Sequence, residues 1–207
     1  QFFIFFEDGL TFDGCGNKII ININNYRGAF NNGVYNSYNN VYHNGVKIMD
    51  HTLMFNYKSG FSYITIKNVG VVVPVEQNYN ISSYCGWVCQ PGFGIGGREL
   101  LIENCYTNGY VNNYGGGICG SYTAVLGSEL HIKNCYNLRE SYDGGIISGY
   151  NTANYTSTIK LDNCRTYGDI YSQYSGGLIG YNPNYLGNVR SSTYTGDYRW
   201  RSTESEY

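Results

Sequence analysis

The sequence predicts an all-β fold, a right-handed parallel β-helix of about five to six coils. Three observations predict it. Three Asn-Cys steps, Asn104-Cys105, Asn134-Cys135 and Asn163-Cys164, recur at intervals of 30 and 29 residues. Each follows an alternating Ile/Leu-x-Ile/Leu stretch and is preceded by a glycine cluster: Gly92 to Gly97, Gly115 to Gly117, Gly144-Gly145. No long apolar stripe of helical period appears, and abundant Gly and Asn oppose helices. A turn-rich unit of about 30 residues with short strands cannot bury its face alone, and stacking like upon like solves that. The rule for parallel crossovers then gives the right-handed path.

Aligned on the asparagine, the copies are Ile21-x-Ile23-x-Asn25, Ile64-x-Ile66-x-Asn68, Leu100-x-Ile102-x-Asn104, Leu130-x-Ile132-x-Asn134 and Ile159-x-Leu161-x-Asn163. A degenerate Leu186-x-Asn188 is a candidate sixth. The spacings are 43, 36, 30, 29 and 25 residues, regular in the middle and drifting at the ends. Terminal repeats of a stack are usually atypical because they cap it. Within each copy the period is 2: Ile64 and Ile66 face inward, Thr65 and Lys67 outward. Leu130 with Ile132, and Ile159 with Leu161, repeat the pattern. The residue after the asparagine is Tyr26, Val69, Cys105, Cys135, Cys164 or Val189. Cysteine exchanging with valine marks a small buried apolar slot.

The asparagine column of Asn25, Asn68, Asn104, Asn134 and Asn163 is expected to line one bend. Stacked amides hydrogen-bond from coil to coil along the axis. Asparagine also favours turns. Its fixed place two residues after the inward Ile/Leu argues for the ladder. A second register reads Tyr114-Gly-Gly-Gly-Ile118-Cys119-Gly120, Asp143-Gly-Gly-Ile-Ile147-Ser148-Gly149 and Tyr174-Ser-Gly-Gly-Leu178-Ile179-Gly180. Tyr84-Cys85-Gly86-Trp87-Val88-Cys89 fits the same frame and places Cys89 on Cys119. A third short segment, such as Gly109-Tyr110-Val111, follows each asparagine step. One domain over 1–207 is expected, with irregular N-terminal coils and a cap over 1–83, regular repeats over 84–181, and a C-terminal cap or tail over 182–207.

Composition narrows the function. Charged residues are 14 % of the chain, against roughly 25 % in ordinary domains. Glycine (28), asparagine (26) and tyrosine (24) take their place. A net charge of -2 gives no electrostatic footprint for nucleic acid. No stretch approaches the ~20 apolar residues of a membrane helix, so no membrane insertion is expected. The acids are not expected to form a paired-carboxylate site. Lys67, Glu103, Lys133 and Asp162 instead share one outward register as a charge-compensated column. His43, His51 and His131 show no ligand spacing. No phosphate loop, nucleophile elbow or dinucleotide fingerprint occurs. No catalytic, cofactor-binding or metal-ligating set is therefore expected, and the chain does not read as an enzyme.

Seven cysteines leave at least one without an intrachain partner. A disulfide between Cys89 and Cys119 is possible if the two stack, and Cys85 with Cys89 is an alternative small loop. Cys105, Cys135 and Cys164 read as buried thiols. Asn80-Ile81-Ser82 and Asn154-Tyr155-Thr156 are glycosylation sequons, relevant only to a secreted chain. The run Phe2-Phe3-Ile4-Phe5-Phe6 is a candidate docking strand or cap, because such a run is an aggregation hazard unless covered. The tyrosines are too many to bury in a narrow β-helix, and exposed tyrosine suits protein interfaces and sugar stacking alike.

The unit Gly-Gly-Leu/Ile-x-Gly, then Ile-x-Asn-Cys-Tyr-x-x-Gly-x-Val, resembles the GLUG motif repeat. The matches are Gly116-Gly117-Ile118-Cys119-Gly120, Gly144-Gly145-Ile146, Gly176-Gly177-Leu178-Ile179-Gly180 and Ile102 to Val111. Residues 84 to 181 carry the resemblance well. Residues 1 to 83 match in patches such as Asp8-Gly9-Leu10-Thr11-Phe12, and the Asn/Tyr/Gly-rich segment 31–46 departs from it. The resemblance implies a β-helical, extracellular or cell-surface setting and supplies no catalytic residue. The expected function is an extracellular structural protein, the subunit of a fibre or filament that self-associates into a homopolymer. A carbohydrate-binding or adhesive module, with glycans as partners, is the alternative. A polysaccharide-active enzyme is a distant third.

Overall fold

The computed structural model describes residues 3–32, 60–145, 147–150, 152–153, 157–168, 171, 178–180 and 188–191, the last four by their backbone alone. It is all-β among these residues, and its strands are short. They are β1 (Phe3–Ile4), β2 (Thr11–Asp13), β3 (Lys18–Ile20), β4 (Phe30–Asn31), β5 (Thr65–Lys67), β6 (Gly70–Val72), β7 (Leu100–Glu103), β8 (Tyr106–Thr107), β9 (Glu129–Lys133), β10 (Tyr136–Asn137), β11 (Thr158–Asp162), β12 (Arg165–Thr166) and β13 (Asn188–Ser191).

All of the strand pairs are parallel. One sheet has six strands in the order β2-β5-β7-β9-β11-β13, and a second has five in the order β3-β6-β8-β10-β12. Each strand of the first sheet is followed in sequence by one of the second, up to β12. Single parallel bridges then carry the chain along two further stretches. One joins Asn80 to Tyr110 and Val111 to Ser141, and the other joins Cys89 to Cys119, Ser148 and Ile179 in turn. The chain thus visits the same faces in the same order once per coil. That is the path of a parallel β-helix, with six rungs on one face and five on the next.

The alternating pattern of the sequence explains the strands. Ile66, Ile102 and Ile132 pair in register and are fully buried, and Leu161 continues their column. Leu100, Leu130 and Ile159 make a second inward column. Between the two sheets Val69, Cys105, Cys135 and Cys164 fill the expected small slot, all of them buried. Each of these thiols turns back toward a carbonyl two residues earlier, as Cys135 does to Lys133 at 3.2 Å. Burial pushes the Cys164 thiol up to about 11 and the Cys85 thiol up to about 12.

The glycine clusters are required by close approach. A Cβ on Gly116 would sit 1.8 Å from the Cys119 carbonyl oxygen, and one on Gly145 would sit 1.9 Å from that of Ser148. Gly86, Gly116 and Gly145 pair with one another on successive coils, so one tight bend is stacked three times.

The first coil departs from the expected alignment. Ile23 is 54 % exposed, and Ile21-x-Ile23 forms no rung of the six-stranded sheet. Its place is taken by β2, in which Phe12 pairs with Ile66 and Asp13 with Lys67. The corner after β2 holds four residues, 14–17, where the corner after β5 holds two, 68–69. The last copy is corrected too. Asn188 pairs with Thr158 and Val189 with Ile159, so Asn188 opens the sixth rung and does not continue the asparagine column.

Candidate functional site

The asparagine bend is a hydrogen-bonded ladder with a direction. The Asn163 amide donates to the Asn134 side-chain carbonyl at 2.8 Å, Asn134 to Asn104 at 3.1 Å, and Asn104 to Asn68 at 3.0 Å. All four residues adopt positive φ, between 47° and 55°. Asparagine is the non-glycine residue best suited to that region, so turn preference and ladder act together. Asn25 is not part of the column. It also has positive φ, but it lies on another bend, where its carbonyl accepts from the Ser82 hydroxyl.

Charged groups close both ends of the ladder. Asn68 donates to an oxygen of Asp13 at 3.0 Å, and the Arg165 guanidinium donates to the Asn163 side-chain carbonyl at 3.0 Å. The acceptor end therefore carries a carboxylate and the donor end a cation. The Asn68 amide, followed by the Cys15 N–H, holds the Asp13 carboxyl below its usual range.

Asp13 also starts the outward charge column of the six-stranded sheet. Asp13, Lys67, Glu103, Lys133 and Asp162 stand in register, alternating in sign. Lys67 contacts Asp13 at 3.3 Å, and Lys133 contacts Glu103 at 2.9 Å. Asp162 is also met from the neighbouring outward column, by Lys160 at 3.1 Å and His131 at 3.2 Å. An open cleft of about 430 Å³ lies beside them, lined by Glu99, Glu129, His131, Thr158 and Lys160 over Leu100 and Leu130. No cluster of metal-ligating side chains occurs among the described residues.

Other faces carry tyrosine instead of charge. Tyr106 and Tyr136 stack at 5.2 Å and 10°, with Tyr167 edge-on to Tyr136 at 5.9 Å. Tyr84 and Tyr114 stack at 5.5 Å and 14°, and Tyr150 packs edge-on against Tyr114. Tyr110, Tyr142 and Tyr171 form a third column, the last two stacked at 5.1 Å. The Arg139 guanidinium lies 4.8 Å from the Tyr110 ring centre. In the stacked pairs the ring faces turn toward each other.

The N-terminal end of the helix is apolar. Phe3 and Phe12 flank Phe30, with ring centres 5.4 and 4.6 Å from it, and Phe5 is buried beside them. Phe3, Ile4, Phe6 and Ile20 remain 50, 41, 72 and 62 % exposed. β1, β2 and β3 are each the last strand of their sheet among the described residues. Within the N-terminal run Phe5 thus joins the core while Phe3 and Phe6 stay exposed. Phe2 lies outside the described residues.

Cys89 and Cys119 stack on adjacent coils as the alignment expects, and both are thiols in this structure. Burial, then the neighbouring Cys119 thiol, holds Cys89 well above its usual range. Of the sequons, Asn80 is exposed, and the Ser82 hydroxyl is engaged by the Asn25 carbonyl. Asn154 lies outside the described residues. The Asp13 end of the ladder was the feature hardest to find in sequence. Its signal was the Gly14-Cys15 step, which echoes Asn-Cys with glycine in the asparagine place. No helix among the described residues is long and apolar enough to cross a membrane. No family model matches the chain, and no curated protein or solved structure matches it either.

Proposed function

We propose that this chain is a structural building block that self-associates, copies adding end to end through the coil ends while the tyrosine-bearing sides bring stacks together. The observation that carries this reading is the N-terminal rung. Among the described residues β1, β2 and β3 each end their sheet, beside exposed Phe3, Ile4, Phe6 and Ile20. A sheet edge with free N–H and C=O groups is a template for another strand. An object that presents three matching edges at once is a coil of the same cross-section, which another copy supplies. Such a head-to-tail contact is heterologous and does not close on itself. The repeat resemblance implies an extracellular or cell-surface setting, which is part of this proposal.

Sedimentation velocity over a concentration series tests it. The wild-type chain is expected to form larger species as concentration rises. Ile4→Lys combined with Phe6→Lys is expected to hold it as a monomer with unchanged circular dichroism. A wild-type chain that stays monomeric at high concentration removes the proposal.

Binding of carbohydrate is the second reading, favoured by the exposure of Tyr63 (50 %) and Tyr167 (63 %). The stacked columns support it less, because sugar stacking needs free ring faces. A glycan screen with Tyr167→Ala is the check, and no binding to any glycan would count against it.

A further inference from the structure

Tyr142 and Tyr171 hold equivalent places on successive coils. The Tyr142 N–H donates to the Val111 carbonyl, and the Tyr171 N–H to that of Ser141, the bridge partner of Val111. Their rings lie 5.1 Å apart and within 15° of parallel. Both are well exposed, at 45 and 41 %. The stacked pair Tyr106 and Tyr136 is less exposed. Tyr106 lies against Gly70, where an added Cβ would meet the ring at 2.5 Å, and Tyr167 closes over Tyr136. Tyr142 and Tyr171 therefore combine proximity with access to solvent.

We propose that Tyr142 and Tyr171 form a site of oxidative coupling, a dityrosine staple between successive coils, with a peroxide and a haem peroxidase as oxidant. Each phenol loses one electron and its hydroxyl proton, leaving a phenoxyl radical with spin density on the carbons ortho to oxygen. One ortho carbon of each ring joins the other in a new carbon–carbon bond. Each joined carbon then gives up its hydrogen while the ring oxygen regains a proton, which restores both aromatic rings. Two electrons and two protons leave in all, and the peroxide takes them to become two waters. Holding the rings together in one chain favours this pair over collisions between copies in dilute solution. The staple joins two coils of one chain and does not rest on self-association.

The test treats dilute protein with hydrogen peroxide and a haem peroxidase, followed by proteolysis and mass spectrometry. Peptides bearing Tyr142 and Tyr171 are expected joined, with the loss of two hydrogen atoms. Tyr142→Phe and Tyr171→Phe each keep a ring in place and are expected to lower dityrosine fluorescence at least about tenfold. Tyr106→Phe is expected to leave it unchanged. Circular dichroism confirms that each variant is folded. Fluorescence that survives in Tyr142→Phe, links confined to different copies, or no product where free tyrosine in the same tube couples would each overturn the proposal.

Discussion

Asn104 carries two roles at once. It donates to Asn68, accepts from Asn134, and holds a φ of 53°. Asn104→Ala is expected to cost about 1–3 kcal/mol for the broken ladder, with roughly 1–2 kcal/mol more for the left-handed backbone. Asn104→Gly keeps the turn and loses only the ladder, so urea denaturation of the two variants separates the contributions. At the ladder's acceptor end, Asp13 makes the first coil sensitive to acid. Its folded-state pKa is depressed below the ordinary value of 3.8, first by the Asn68 amide. The stability it contributes is therefore present above that value and lost as pH falls through the lower folded one. Asp13→Asn is expected to flatten the acid limb of a stability–pH curve measured by thermal melts. The Asn-Cys steps were legible in sequence because each residue answers a local demand, a turn and a small slot. Asp13 was not, because Gly14 stands where the other coils carry the asparagine that marks the frame.

The strands and bends answer to stacking more than to propensity. β8, β10 and β12 are two residues each, too short to stand alone, and in-register neighbours on both sides of β8 and β10 hold them. The period-2 pattern of β7, β9 and β11 was plain in sequence because one face is buried and the other wet. The rung at β2 was obscured because Leu10 and Phe12 replace the isoleucines and Gly14 replaces the asparagine. The sixth rung was misplaced because Asn188 imitates the column while the backbone pairs it with Thr158. The glycine bends are the least tolerant elements. Gly116→Ala would drive a methyl into the Cys119 carbonyl, with the Gly149 N–H only 2.7 Å away. It is expected to cost more than about 3 kcal/mol, since backbone on two sides cannot give way. Chemical denaturation checks this, and a wild-type midpoint for that variant would mean the bend is looser than described.

At the scale of the molecule, the described residues are two-sided along the length of the stack. Alternating charges line the six-stranded sheet, tyrosine columns line other faces, and exposed Phe3, Ile4, Phe6 and Ile20 gather near the N-terminal end. Sequence carried the stack and the tyrosine excess, but not the grouping of tyrosines into three columns, which needs the coil register. It also did not reveal that the ladder closes on Asp13 and Arg165. The polar ladder is closed by charges, so the proposed axial growth would rest on the strand edges. X-ray fibre diffraction from concentrated, aligned protein tests that growth most directly. Copies adding coil upon coil place the ~4.8 Å strand spacing along the fibre axis. A sample that yields no fibres, or fibres with that spacing across the axis, would contradict end-to-end assembly.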